Sequence, residues 1–171
     1  MFCQRRHPFA AVVAGLLVVA ALAACTATPE PPPPDGTVYP ILCPVTGTVS
    51  FTNDWGAPRS GGTVHEGTDI AAPRATPSVA VVAGTIRLAY GIKSGYAIWL
   101  EGDDGNDYFY AHFDAWEGTD RRVVAGERIG YVGDTGNATG FPHTHFEVHP
   151  DGDEPVNPYA SLVAACADRT T

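Results

Sequence analysis

A stretch with two closely spaced histidines indicates the fold of this chain: Phe141-Pro142-His143-Thr144-His145-Phe146-Glu147-Val148. Phenylalanine, valine and threonine favour a β-strand. Side chains alternate along a strand, so His143 and His145 share one face, opposite Thr144, Phe146 and Val148. Two imidazoles on one face are half of a metal site, although a solvated sheet face fits the same pattern.

The rest of the chain is rich in short strand patterns. Runs of β-branched and aromatic residues, separated mainly by glycines, occur at residues 45–51, 64–71, 78–83, 85–90, 96–101, 107–113 and 128–132. Asp104-Gly105-Asn106 predicts a tight hairpin turn, and only residues 158–167 favour a helix. We therefore predict an all-β domain, mainly antiparallel, folded into a sandwich or partial barrel, with a short C-terminal helix.

The N-terminal segment has the features of an export signal. A basic start and an apolar run predict a signal peptide at residues 1–24, and Leu22-Ala23-Ala24-Cys25 resembles a lipobox. We predict a lipid on Cys25 that anchors the protein to the outer side of the bacterial cell membrane; an uncleaved anchor is the alternative. Residues 25–37 then predict a proline-rich tether, and residues 38–168 predict one folded domain.

Charge and cysteine content narrow the class of protein. The chain has 10 Lys+Arg and 19 Asp+Glu; without the two signal arginines, 8 against 19 leaves a net charge of −11, which argues against nucleic-acid binding. Cys3 leaves with the signal, and Cys25 is the lipid candidate. Cys43 and Cys166 bracket the domain and predict a disulfide in an exported protein; two free buried thiols are the alternative.

A second candidate site is His65-Glu66-Gly67-Thr68-Asp69. In a straight strand His65 and Asp69 would lie about 13 Å apart, but Gly67 permits a bend that brings both to one ion. A solvated polar turn is the alternative. The segment nearly matches the helical His-Glu-x-x-His zinc motif, but its glycines and β-branched residues are poor helix formers. We therefore reject a helix here, and with it a catalytic role for Glu66.

Two further histidines, His112 and His149, lie in predicted strands. In Tyr108-Phe109-Tyr110-Ala111-His112-Phe113, alternation puts His112 on one face with Tyr108 and Tyr110. A lone histidine there is commonly just hydrogen-bonded. His149 shares the face of His145 but lies about 13 Å further along the strand, so we predict a surface position and no contact with the same ion.

The ordered set of motifs resembles the lysostaphin/LytM-type zinc endopeptidases, which cut peptidoglycan cross-bridges. The similarity includes residues 81–84, 124–130 and 135–147 and covers most of residues 51–159. The resemblance implies that His65, Asp69 and His145 bind Zn2+, and that His112 and His143 are catalytic. Thr144 stands where the family usually has leucine, but no ligand is missing.

The resemblance implies a function as well. The implied function is that of a zinc-dependent endopeptidase, which hydrolyses stem or bridge peptides of peptidoglycan with metal-activated water. The protein would act from a position facing the cell wall. Three N/O ligands leave zinc an open position, as catalytic sites do. Of His112 and His143, one would serve as acid–base group and the other would stabilise the oxyanion; which does which stays open.

Two other functions compete with this one. The first is a non-catalytic wall-binding regulator of other cell-wall hydrolases, which the intact set of five residues argues against. The second is a metal-storage or metal-delivery lipoprotein. It would be expected to carry a Met-, Cys- or His-rich tract, and this chain has a single methionine.

Overall fold

The computed structural model describes residues 36–170. The predicted signal peptide, nearly all of the predicted tether and the candidate lipid site at Cys25 lie outside the described residues. Over residues 36–170, no helix combines the length and the apolar character that crossing a membrane requires.

The larger of two sheets has six antiparallel strands in the spatial order β1-β9-β5-β4-β3-β7. Their bounds are β1 (Thr68–Ala71), β3 (Gly84–Gly91), β4 (Gly95–Gly102), β5 (Asp107–Phe113), β7 (Arg121–Val123) and β9 (His143–His149). The predicted hairpin turn joins β4 to β5, with Gly105 at a φ of 88° that favours glycine. The predicted strand with His143 and His145 is thus an interior strand, β9, flanked by β1 and β5.

The smaller sheet has three antiparallel strands in the order β2-β8-β6. These are β2 (Pro77–Val79), β6 (Ala115–Trp116) and β8 (Arg128–Tyr131), and one short helix, α1 (Tyr159–Ala165), follows β9. The prediction of a mainly antiparallel all-β domain with a short C-terminal helix is therefore confirmed.

Residues 45–51 are not the regular strand that we predicted. Val45 pairs with Ser78, Val49 with Thr170, and Ser50 with Ala71, each as an isolated bridge. Because neighbouring residues here pair with three different segments, no continuous ladder can form. The short strands β6 and β7 were not predicted, since two or three residues cannot show a period.

The core lies on the inner face of the large sheet. Phe146 and Val148 on β9 are fully buried in it, and Thr144 reaches Ser78 of the small sheet by a 3.1 Å hydrogen bond between hydroxyls. The alternation predicted for β9 is therefore confirmed. His143 and His145 point to the opposite, outer face of the large sheet.

The predicted disulfide between Cys43 and Cys166 is confirmed, and both cysteines are buried. It joins the segment that precedes the sheets to the end of α1, 123 residues later. A bridge that closes so long a loop reduces the conformational entropy of the unfolded chain.

Reduction of this bond is expected to destabilise the protein by about 3–5 kcal/mol. Urea unfolding with and without a phosphine reductant measures the effect. A Cys43→Ala/Cys166→Ala variant is the matched control, since it should be equally destabilised and insensitive to reductant. An unfolding midpoint that is the same for the reduced and the oxidised protein would contradict the stabilising role.

Candidate active site

The outer face of the large sheet brings the predicted site residues together. Asp69 on β1 lies directly opposite His145 on β9, and Ala71 lies opposite His143. His65 precedes β1 in a loop, where its backbone N–H donates to the carbonyl of Ala57 at 2.9 Å. Two strands and one anchored loop thus carry four of the five predicted residues.

Three donor atoms from these residues form a nearly equilateral triangle. Nε2 of His65 lies 2.9 Å from Nδ1 of His145, and each lies 3.0 Å from Oδ1 of Asp69. Tetrahedral zinc with N and O ligands about 2.05 Å away would set its donors about 3.3 Å apart. The three residues therefore fit one face of a tetrahedral metal site, and among residues 36–170 they are the single His/Cys/Asp/Glu group close enough to hold an ion.

Gly67 makes room for this triangle. A Cβ at this position would lie 2.6 Å from the carbonyl oxygen of Phe146 and 2.7 Å from Cε1 of His145. The φ of Gly67 is not in the left-handed region, so space rather than backbone freedom requires glycine here. The bend between His65 and Asp69 therefore depends on this close approach to the His145 ring.

Gly67→Ala is expected to displace the His145 ring and to weaken metal binding. Overpacking of this kind typically costs about 1–3 kcal/mol of stability as well. Thermal unfolding and a zinc titration measure both effects. Glu66→Ala, on the exposed neighbouring residue, is the control and should change neither. Unaltered zinc affinity in Gly67→Ala would show that the ring tolerates the methyl group.

Hydrogen bonds fix the tautomers of the two imidazoles in the triangle. Nδ1 of His65 lies 3.1 Å from the carbonyl oxygen of Asp54, which can only accept, so Nδ1 carries the proton and Nε2 is bare. In the neutral form of His145 the order is reversed, because Nε2 donates to the Glu147 carboxylate at 2.7 Å and leaves Nδ1 bare. Both bare nitrogens face Asp69, as metal ligands require.

His143 and His112 are held in a similar way beside the triangle. Nδ1 of His143 donates to the carbonyl of Phe141 at 2.7 Å, and Nδ1 of His112 donates to the carbonyl of Thr135 at 2.9 Å. Each ring therefore keeps Nε2 free to accept a proton. The two ring centroids are 4.7 Å apart, and Nε2 of His143 lies 3.4 Å from Oδ1 of Asp69.

We predicted that His112 shares the face of Tyr108 and Tyr110, and this prediction is wrong. The pairing of β4 with β5 shifts by one residue between Tyr110 and Phe113, and His112 has a φ of 69°. This bulge interrupts the alternation, so that Tyr110 and Phe113 both enter the core while His112 turns to the outer face. A left-handed conformation in a non-glycine residue costs about 1–3 kcal/mol and is typical of functional sites.

The electrostatics of the triangle favour a bound cation. Burial alone would raise the pKa of Asp69, but His143, His145 and His65 donate hydrogen bonds to its carboxylate when they are protonated, and so hold its pKa well below its usual range. Burial works against charge on His145, yet Asp69 and Glu147 raise its pKa to about 9. A metal that binds Nδ1 of His145 competes with this proton, so metal binding should weaken as the pH falls.

His112 is uncharged at neutral pH. Burial, followed by the neighbouring His143, lowers the pKa of His112 to about 4. With Nδ1 committed to Thr135, the neutral ring presents Nε2 as an acceptor. The arrangement suits a proton acceptor close to the metal triangle.

Four side chains of this site were not predicted from the sequence. Arg59 donates to the second oxygen of Asp69 at 2.8 Å, and the Asp54 carboxylate lies 3.2 Å from Nδ1 of His65. Neither could be found from spacing, because both reach the site from an irregular loop.

Glu147 and His149 follow His145 at the strand period, which was a usable signal. His149 is buried at 8% exposure, so its predicted surface position was wrong.

The chain belongs to peptidase family M23, whose model matches residues 63–158. The match covers the triangle, His112 and His143, and confirms the resemblance recognised in the sequence.

Individual relatives agree with this membership. The chain is 42% identical over 97 residues to a DD-carboxypeptidase/endopeptidase, Mpg, of Neisseria meningitidis, which covers 56% of this chain but 22% of the relative. It is 27% identical to the catalytic domain of the antimicrobial peptidase lysostaphin from Staphylococcus simulans, with a TM-score of 0.59 over 67% of this chain and 92% of that one. A zinc-containing peptidase from Vibrio cholerae is 26% identical, with a TM-score of 0.57 over 70% of this chain and 39% of that one.

Proposed function

We propose that this protein is a zinc-dependent endopeptidase that hydrolyses peptide cross-links of bacterial peptidoglycan. The observation that carries the proposal is the convergence of two bare imidazole nitrogens and one carboxylate oxygen at about 3 Å separations, with two further imidazoles beside them. Three ligands leave a tetrahedral ion one position for chemistry.

The proposed ligands are His65 through Nε2, His145 through Nδ1 and Asp69 through Oδ1. Zinc held by them would act as a Lewis acid and would lower the pKa of water in the site. Arg59 occupies Oδ2 of Asp69, so this carboxylate offers the ion its other oxygen. Glu147 and the Asp54 carbonyl hold the two ligand rings in the tautomers that expose their bare nitrogens.

His112 and His143 are the proposed catalytic residues. A neutral His112 can accept a proton at Nε2 from the attacking water and later return it to the leaving amine. His143 has its Nε2 3.4 Å from Oδ1 of Asp69, so this ring would lie beside a metal that the triangle holds. When protonated there, it would donate to the oxyanion of the tetrahedral intermediate. The low pKa of His112, which keeps its ring neutral, supports this division of roles.

The substrate class is inferred from the relatives. Mpg is a DD-carboxypeptidase/endopeptidase, and lysostaphin is an antimicrobial peptidase. The chain spans about a fifth of the length of Mpg, so the activity of that whole protein does not transfer by itself. We infer stem or bridge peptides of peptidoglycan as the substrate, in keeping with the predicted export of the chain.

Digestion of purified sacculi tests the proposal. The protein should release wall peptides, lose this activity with a chelator and regain it with added zinc. Mass analysis of the fragments would identify the bond. Binding to sacculi without release of fragments, by protein that contains zinc, would instead support a non-catalytic regulator of other hydrolases.

The proposed location is the outer side of the cell membrane, through a lipid on Cys25. Cys25→Ser is expected to release the protein from the membrane fraction, because the thiol that carries the lipid is absent. Fractionation of cells that express each form, with immunoblotting, measures the shift, and Cys3→Ser is the matched control. A Cys25→Ser protein that is processed and still sediments with membranes would refute the anchor.

A further inference from the structure

A chain of three side chains runs along the outer face of β9 and ends at the proposed metal site. Nε2 of His149 lies 2.7 Å from Oε2 of Glu147, and Oε1 of Glu147 lies 2.7 Å from Nε2 of His145. The three residues occupy alternate positions of one strand, so their side chains share a face. They are nearly enclosed, with 11% to 13% of each side chain exposed.

His149 is held on both of its ring nitrogens by acceptors. Nδ1 lies 2.8 Å from the carbonyl oxygen of Asp153, so this nitrogen donates a hydrogen. Nε2 faces a carboxylate oxygen, which also accepts. Both contacts are satisfied together when the ring carries a proton on each nitrogen, which makes the bond to Glu147 a charge-assisted one.

The surroundings of His149 support this charged form. Burial opposes the charge, but Glu147, the Asp153 carbonyl and the Asp107 carboxylate raise the pKa of His149. Asp107 faces it from the paired position on β5. The ring packs against Trp99 on β4, with centroids 5.0 Å apart and a 62° angle between the ring planes, so it has little freedom to turn.

We propose that His149 is a positioning residue of the metal centre. By holding one oxygen of Glu147, it directs the other oxygen to Nε2 of His145 and so keeps Nδ1 of that ring turned toward His65 and Asp69. His149 is not itself a ligand, because Glu147 stands between it and His145. The inference rests on the proposed zinc site.

The test is zinc affinity, measured by competition with a chromophoric chelator. Gln places an amide nitrogen near the position of Nε2, and Asn places one near the position of Nδ1. His149→Asn and His149→Ala should therefore bind zinc more weakly, by no more than the roughly 10–100-fold that losing the direct partner of a metal-ligating histidine usually costs. His149→Gln should stay close to the wild type. All of these variants should still hold one zinc when the metal is saturating.

Two results would overturn the proposal. Wild-type affinity in His149→Ala would show that the contact to Glu147 is dispensable. Equal losses in His149→Gln and His149→Asn would show that the ring acts by packing against Trp99, since both variants lose that packing. A wild-type protein that binds no zinc would instead contradict the proposed function itself, and the inference with it.

A double substitution checks that the effect passes through Glu147. Glu147→Gln alone should weaken zinc binding, because the His145 ring loses its carboxylate partner. Adding His149→Ala to Glu147→Gln should then weaken binding little further, since residues that act through one another are not additive. Fully additive losses would show that His149 acts independently of Glu147 and would overturn the proposal.

Discussion

Asp69→Ala is expected to lose zinc and wall-cleaving activity together. Oδ1 of Asp69 lies 3.0 Å from both bare imidazole nitrogens and is the charged donor of the triangle. Without it, two neutral rings would face each other at 2.9 Å with no charged ligand to balance a dication. His65→Ala and His145→Ala should fail in the same way, because two ligands seldom retain a catalytic zinc.

Elemental analysis of the purified variants measures this loss, beside a cleavage assay on sacculi. Glu66→Ala is the matched control, an exposed carboxylate next to His65, and it should keep both zinc and activity. His149→Ala should retain one zinc at saturating metal. If His149→Ala lost its zinc there while His65→Ala kept it, the proposed ligand set would be wrong.

His112→Ala and His143→Ala are expected to keep zinc and lose activity. Neither ring belongs to the donor triangle, and each has Nδ1 committed to a backbone carbonyl, at Thr135 and Phe141. Removal of a general acid–base group typically lowers the rate by about 10²–10⁴-fold. The distinction is sharp on β9, because His143 and His145 are two residues apart on one face and should fail differently.

Zinc content and single-turnover cleavage, measured on the same preparation of each variant, make the comparison. Circular dichroism shows whether the variant is folded. Zinc lost from His143→Ala but retained in His145→Ala would reverse the roles assigned to the pair. Full cleavage by both His112→Ala and His143→Ala would exclude the proposed mechanism.

Local periodicity was enough to predict one half of this site. Alternation along β9 correctly separated His143 and His145 from Phe146 and Val148, since a strand buried on one face constrains its register. The same rule extends to Glu147 and His149, and distance from the ion was the wrong reason to place His149 on the surface. His149 is buried because its ring packs against Trp99 of β4, and β4 lies two strands away from β9 in the sheet.

The other half depends on contacts that no local pattern reveals. His112 reaches the site through a bulge and a left-handed backbone, which reverse the face that alternation predicts. Asp54 and Arg59 come from an irregular loop whose path depends on pairing with residues 63–65. The importance of Gly67 was visible in the sequence, but its physical cause, the nearby His145 ring, is a contact between β9 and the segment before β1.

Anomalous diffraction at the zinc absorption edge, from crystals of the protein grown with zinc, would locate the metal and its ligands. We predict one strong peak in the domain, bound by Nε2 of His65, Oδ1 of Asp69 and Nδ1 of His145, with the rings of His112 and His143 nearby but not coordinated. A peak bound by His112 or His143 in place of any of these three, or no peak at this site in protein that cleaves sacculi, would contradict the account.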